Sequence, residues 1–243
     1  MSNRTAIITG AARRIGAAIA CELHRLGMDV IVHYHHSAAA AHDLARQLNA
    51  QRPGSAHAMA ADLSNTDSCQ TLIENVCAIN KRLDVLVNNA AVFYPTPLME
   101  LNDATWNEFI NVNLKAPLFL SRAAAPGLAQ TSGCIINIAD IHAERPLKGY
   151  PLYSISKAGL IMLTRSLARE LGPKIRVNAI SPGAILWPED LGDEIRKKIL
   201  ARTALKRPGT VEDITRAVRY LIEDANYTTG EVLVIDGGRT LYS

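Results

Sequence analysis

Residues 4–16 read Arg4-Thr5-Ala6-Ile7-Ile8-Thr9-Gly10-Ala11-Ala12-Arg13-Arg14-Ile15-Gly16, an apolar run broken by a glycine turn and resumed as a helical pattern to about Leu26, ahead of Gly27. Strand, glycine turn and helix in that order bring free backbone N–H groups and the positive end of a helix dipole to the strand's carboxyl end. That is a seat for a diphosphate. Two glycines also serve any tight strand-to-helix connection; the flanking strand and helix make Gly10 and Gly16 a candidate phosphate site. The alternation continues along the chain, with strands expected over 29–33, 56–60, 84–87, 134–139, 175–180 and 231–235. Helices are expected between them: an Ala-rich one ending near Asn49, then 66–80, 103–126, one carrying Tyr153 to Leu171, 192–201 and 211–222. Seven strands alternating with helices, without linker or repeat, predict one α/β domain with a parallel sheet.

Composition bounds the function. The chain has 243 residues, 48% hydrophobic and 20% charged, enough to bury a full core as one large α/β domain. A net charge of only +3, with basic residues spread along the chain, argues against a nucleic-acid partner. No apolar run approaches the roughly 20 residues of a membrane span, and no signal peptide precedes the first strand. Cys21, Cys69, Cys77 and Cys134 form no C-x-x-C pair or disulfide framework. They read as free thiols of a cytoplasmic protein, and no metal is implied.

The second strand ends in His33-Tyr34-His35-His36-Ser37. A site for NAD usually carries Asp or Glu here to hold the ribose 2′-OH. No acid occurs between Val30 and His42, whereas Arg13 and Arg14 lie back in the turn. Imidazolium, hydroxyl and guanidinium would hold a 2′-phosphate, so the pattern favours NADP(H). A metal site on His33 and His35 lacks any accompanying Cys, Asp or Glu, and solvated histidines at a strand end are the plainer alternative. After the third strand, Asp62 either caps the next helix or accepts from an adenine amino group. Asn88-Asn89-Ala90-Ala91 at the fourth strand's end let backbone approach a ligand in the crevice. Phe93 and Tyr94 follow, either as packing or as a ring that stacks on a planar substrate.

Asn113 sits in an apolar part of its helix and must be paired, structurally or within a proton path. Asn137-Ile138-Ala139-Asp140 leads to Tyr153-Ser154-Ile155-Ser156-Lys157, where the four-residue spacing puts the phenol and the ammonium on one helix face. A lysine there is expected to favour the phenolate, and such a tyrosine can hand a proton to a substrate. Ala158 to Leu163 is apolar on every face, which suggests an oligomer interface. Residues 184–207, with Trp187-Pro188, read as a lid or substrate loop.

Taken together, Thr9-Gly10 with Gly16, Asn88-Asn89-Ala90, Asn113, Tyr153-x-x-x-Lys157, Pro182-Gly183 and Asp236-Gly237-Gly238 resemble, in order and spacing, the short-chain dehydrogenases/reductases. The resemblance covers essentially the whole chain. It implies a single-domain doubly wound (Rossmann) seven-stranded parallel sheet with helices on both faces, a homotetramer, and NAD(P)-dependent hydride transfer. Arg14 stands where the general pattern has glycine, and Asp140 where it has serine. Both, with 33–37 and 88–97, resemble the pteridine reductases. That subfamily implies Asp140, Tyr153 and Lys157 as catalytic set, with Asn113 extending a water-linked proton path. It implies cofactor contacts from Gly10, Arg14, Ile15, His33, Tyr34, His35, His36, Ser37, Asp62, Leu63, Asn89, Ala90, Ala91, Ile138, Tyr153, Lys157, Pro182 and Gly183. The pterin would meet Arg14, Phe93, Asp140, Tyr153, Leu186 and Trp187. His36 stands where the best-known parasite members carry arginine.

A serine hydroxyl holds a carbonyl oxygen as it gains negative charge; a carboxylate would repel it. Asp140 therefore suits a C=N substrate whose nitrogen takes a proton. The expectation is NADPH-dependent reduction of dihydropterin, and further of oxidised pterin or dihydrofolate, to the tetrahydro form. The alternatives are a reductase of 3-oxoacyl thioesters or small carbonyls, and a non-catalytic NADP-binding sensor, whose usual signature is loss of the Tyr or Lys present here.

Overall fold

The computed structural model describes residues 4–187 and 192–242. Seven strands, β1 (Thr5–Ile8), β2 (Asp29–Tyr34), β3 (Ala56–Ala60), β4 (Val85–Asn88), β5 (Cys134–Ile138), β6 (Arg176–Pro182) and β7 (Val232–Ile235), form one sheet. Their order is β3-β2-β1-β4-β5-β6-β7, and every pairing is parallel. This is the doubly wound seven-stranded sheet that the family resemblance implies. Ile7 lies between Ile31 and Leu86 in register, so the strand order reverses between β1 and β4. At such a switch point the connections leave in opposite directions and open a crevice beyond the strands' carboxyl ends. Gly10 and Asn89 follow β1 and β4 into it.

Strands covered on both faces read as continuous apolar runs. All residues of β1, β4 and β5 are buried. Alternate side chains face two cores. One joins Ala6, Ile8, Val30 and Val32 to Ile19 and Leu23 of α1 (Arg14–Arg25), Leu44 of α2 (Ala38–Gln51), and Val218 and Leu221 of a later helix (Val211–Glu223). The other joins Ile7, Ile31, Leu86 and Ile135 to Leu72 and Ile73 of α3 (Thr66–Asn80) and to helices after β4 and β5.

The helix expected over 103–126 is divided. It comprises α4 (Asp103–Ile110), a π-helical turn (Asn111–Lys115) and α5 (Ala116–Thr131). The backbone N–H of Ala116 reaches back to the Asn111 carbonyl, which widens the turn. Pro126 does not end α5, which runs on to Thr131 with that ring exposed. Next come α6 (Pro151–Leu171), α7 (Asp193–Ala201) and α8 (Val211–Glu223). A Cβ on Gly159 of α6 would lie 2.8 Å from Leu114 Cδ2, so the missing side chain lets α6 close on the π-turn. Residues 188–191 of the expected substrate loop, Pro188 among them, lie outside the described residues. Among the described residues no helix is long and apolar enough to cross a membrane.

Candidate active site

The glycine turn is shaped by close approach. Gly10 has φ of +61°, and a Cβ there would sit 3.0 Å from Ala90 Cα. A Cβ on Gly16 would meet the Gly10 carbonyl at 2.5 Å and Asn89 Nδ2 at 2.6 Å. That amide donates to the Thr9 carbonyl at 2.8 Å and the Gly10 carbonyl at 3.2 Å, while Thr9 Oγ1 accepts from the N–H groups of Asn89 and Ala90. Asn89 therefore shapes the turn with its side chain and leaves only backbone to face a ligand. Arg13 supplies no capping bond to α1, whose first turn holds no acid, so the helix end is open to an anion.

Arg14 has φ of 55°, the left-handed region that favours glycine. The family pattern of glycine at this position thus has a backbone cause, and arginine is held there at some strain. Its Nη2 donates to the Leu186 carbonyl at 3.4 Å, so two residues expected beside the substrate, 172 positions apart, meet over the crevice. Trp187 follows, half-buried.

At the end of β2 one expectation fails. His33 is buried rather than turned to a phosphate. Its Nδ1 accepts from the Gly10 N–H at 3.1 Å and its Nε2 faces the Ala61 carbonyl at 3.1 Å, which makes Nε2 the donor. Burial lowers its pKa to about 4, so it is neutral and cannot serve as a cation. It ties the turns after β1 and β3 to β2, and with both ring nitrogens engaged it offers nothing to a metal. His35 and His36 are exposed, with ring centroids 3.6 Å apart, ahead of half-buried Ser37. Tyr34 pairs with His42 at 3.3 Å. Asp62 is exposed and accepts from the Ser64 N–H at 2.9 Å; Asn65, not Asp62, caps α3. The side chain of Leu63 is buried beneath it.

Asp140, Tyr153 and Lys157, the residues expected to be catalytic, come together in the structure, with one change in the charges. Tyr153 O–H donates to Asp140 Oδ2 at 2.8 Å, and Asp140 Oδ1 accepts from the His142 N–H at 2.8 Å. Lys157 Nζ donates to the Ile138 carbonyl at 2.8 Å and lies 5.7 Å from the Tyr153 ring centroid. Burial, then the neighbouring Asp140 charge and hydrogen bond, hold the Tyr153 phenol well above its usual range. The lysine was expected to favour the phenolate; instead burial, and after it the Asp140 carboxylate, keep the phenol protonated. Burial lowers Lys157 to about 8, against the opposing pull of Asp140.

Asn113, on the π-turn, accepts from the Val92 N–H at 2.7 Å and donates to the Val92 carbonyl and to Ser156 Oγ, each at 3.0 Å. Ser156 Oγ in turn donates to the Tyr153 carbonyl at 2.8 Å. The Asn113 carboxamide thus fixes the loop after β4 to the helix of Tyr153. Pro182 ends β6, and a Cβ on Gly183 would press to 2.7 Å of Asp236 Cα, which packs the two closing turns together.

Phe93 is half exposed and makes an edge contact with the Tyr153 ring at 4.7 Å. It stacks on Tyr150 at 4.9 Å and 17°. Tyr94 turns away, donating to Glu108 and packing on Phe109. Tyr150 escaped the reading of the sequence, although its three-residue spacing from Tyr153 was the available signal. A buried chain from Asn88 to Asn137 to Thr164 also had no local signal, because it crosses β4, β5 and α6.

These residues fit a dinucleotide. The turn can seat a diphosphate on open N–H groups, the β2 end is free of acid, and backbone at Ala90, Ala91 and Ile138 borders the crevice. A family model described as enoyl-(acyl carrier protein) reductase matches residues 10–240. Pteridine reductase 1 of Leishmania tarentolae is 37% identical, with 97% of this chain and 96% of that protein covered. 3-Oxoacyl-(acyl-carrier-protein) reductase FabG of Staphylococcus aureus strain N315 is 35% identical over 97% of each. Glucose 1-dehydrogenase 2 of Bacillus subtilis strain 168 is 34% identical over 100% of this chain and 96% of the other.

Proposed function

We propose that this chain, which belongs to the short-chain dehydrogenase/reductase family and is an oxidoreductase, reduces dihydropterins to the tetrahydro form with NADPH. The observation that carries the proposal is Asp140 Oδ2 accepting from Tyr153 O–H at 2.8 Å. A reducer of carbonyls builds negative charge on oxygen and is served by a neutral donor there. A fixed carboxylate opposes that charge. It tolerates a ring nitrogen that leaves the reaction carrying a proton.

NADPH would supply the hydride to a ring carbon. Gly10, Arg14, Ile15 and Asn89–Ala91 would hold its diphosphate and ribose, Lys157 its nicotinamide ribose, and His35, His36 and Ser37 its 2′-phosphate. Tyr153 keeps its proton across the neutral range and gives it to the neighbouring ring nitrogen, with Asp140 holding the hydroxyl in line. Lys157, near its own midpoint at about pH 8, can return a proton to the relay. Phe93 offers a half-exposed face beside the Tyr153 ring for a flat heterocycle, with Arg14, Leu186 and Trp187 closing the other side. Ile155 and Met162 leave apolar surface on the outer face of α6, 48% and 58% exposed. We read that face as one interface of a homotetramer.

The test follows NADPH and NADH oxidation with dihydrobiopterin, oxidised biopterin, dihydrofolate and an acetoacetyl thioester in parallel. Turnover of a pterin with NADPH supports the proposal. Turnover of the thioester alone refutes it and assigns the site to carbonyl reduction. No turnover with any of them, together with NADPH binding, leaves a sensor.

A further inference from the structure

We propose that a row of cations beside the reacting centre receives the substrate's side chain, so that this protein favours pterins bearing several carboxylates, as γ-glutamylated dihydrofolate does. The proposal rests on reading the substrate as a pterin and deepens it. Two adjoining cavities, of about 260 and 410 Å³, share Arg202 and Arg239 in their walls. The first also takes in His142 and Arg145, and the second Lys198. The shared arginines therefore stand between Arg145 and Lys198.

These residues arrive from separate elements at one end of the sheet. His142 and Arg145 follow β5, Lys198 lies on α7 and Arg202 at its carboxyl end, in the connection after β6, and Arg239 follows β7. The strand order sets β5, β6 and β7 across the switch point from β2 and β3, where a dinucleotide's adenosine falls. The cavities thus lie on the substrate side. Their wall begins with Ile141 and His142, directly after Asp140, and two residues of chain span at most about 7 Å. A side chain that leaves a ring held at Asp140 and Tyr153, on the side away from the cofactor, enters the first cavity.

Among the described residues, neither cavity is lined by an acid, and Arg145, Lys198, Arg202 and Arg239 form no ion pair. Asp236, close to Arg239 in the chain, is taken up by the N–H groups of Gly238 and Thr240 and by Thr240 Oγ1. Arg239 is half-buried, and its Nη1 reaches the Arg202 carbonyl only at 3.5 Å. His142 Nδ1 donates to the Arg145 carbonyl at 2.9 Å, which fixes the loop carrying that arginine. Like charges gathered without partners on one wall attract an anion. Arg145 and Arg202 are exposed, so a single carboxylate gains little from either. Several carboxylates on one tether engage several cations, and each contact after the first is intramolecular. Each guanidinium can also hold a carboxylate through two parallel N–H groups. The hydroxylated alkyl arm of a biopterin has no charge to offer.

The experiment measures kcat and KM of the whole protein with NADPH and dihydropteroate, dihydrofolate or dihydrofolate pentaglutamate, at about 0.05 M and about 0.5 M salt. The expected KM falls in steps along that series, about tenfold overall at the lower salt. The kcat stays nearly constant, because the tail adds binding that ground and transition states share. At the higher salt the span shrinks to under about threefold as exposed charges are screened. Arg202→Gln combined with Arg239→Gln, the pair common to both cavities, should bring the dihydropteroate-to-pentaglutamate KM ratio under about threefold at low salt. That ratio is internal to each form, a thermal melt checks the fold, and the native series stands without any variant. Equal KM values for all three substrates in the native protein overturn the inference and leave the pterin reading intact. A pentaglutamate advantage that survives the higher salt or the double substitution places the carboxylates elsewhere and overturns the inference too. Turnover of an acetoacetyl thioester with none of the three pterins overturns the pterin reading, and the inference with it.

Discussion

Asp140→Asn is the change that isolates the charge at the reacting centre. Asp140 now serves two donors, the His142 N–H and the Tyr153 O–H, each at 2.8 Å. An asparagine has one carbonyl oxygen and one NH2. If its oxygen keeps the His142 N–H, its NH2 faces the phenol, and the polarity of that hydrogen bond reverses. Tyr153 then becomes the acceptor, and its hydroxyl loses the charged anchor that positions it beside the substrate. A hydrogen bond to a charged group contributes about 1.5–3 kcal/mol. Losing the charge should therefore lower kcat/KM by roughly 10- to 150-fold at about 1.4 kcal/mol per tenfold. The backbone contact and the size of the side chain survive, so stability should change by under about 2 kcal/mol. The assay is NADPH oxidation with saturating cofactor and varied dihydrobiopterin, alongside a melt and NADPH titration. The pterin rate should fall while NADPH affinity holds within about threefold. Pterin turnover within a factor of about two of the native enzyme would show that the carboxylate's charge does no work in the reaction. The reasoning from Asp140 to a nitrogen substrate would then be refuted.

Tyr153→Phe should cut turnover by roughly 10²–10⁴-fold with NADPH affinity nearly intact, since the hydroxyl is the proton donor; equal rates in a stopped-flow comparison would remove it from the mechanism. Gly16→Ala places a Cβ 2.5 Å from the Gly10 carbonyl, backbone that cannot swing aside. Calorimetry should show about 1–3 kcal/mol of destabilisation and at least tenfold weaker NADPH binding, and native-like affinity would mean the turn adapts. His33 has a folded pKa of about 4 against an ordinary value of 6.5. The unfolded chain binds the extra proton first, so stability is fully present above pH 6.5 and falls as pH drops toward 4. The loss is on the order of 3 kcal/mol. His33→Gln, whose amide can still accept from Gly10 and donate to Ala61, should flatten that acid dependence in melts from pH 7 to 4.5; an unchanged slope would place the titrating group elsewhere.

Much of this molecule is written in short stretches of chain. The apolar runs of β1, β4 and β5, the turn at Gly10, and the spacing of Tyr153 and Lys157 are local patterns. A strand's periodicity and a helix's four-residue repeat fix which side chains share a face wherever the element lands. The alternation of strands and helices then leaves few ways to cover a parallel sheet on both faces. The substitution of aspartate at 140 was equally legible, because the residue type itself carries the charge.

What the sequence could not decide depends on who approaches whom across many residues. His33, His35 and His36 look alike in the chain, yet His33 is neutral in the interior and the other two stand in solvent, because strand pairing and the turns at Gly10 and Ala61 close over only one of them. Lys157 sits one helical turn from Tyr153, but its ammonium is held by the Ile138 carbonyl, and the phenol's protonation is set first by burial and then by Asp140, thirteen positions away. Arg14 meets Leu186 only because β1 and β6 deliver their connections to the same end of one sheet. Burial, and with it the sign of a pKa change, belongs to the packed molecule: desolvation is set by all the neighbours a group acquires, and spacing along a chain specifies only a few of them.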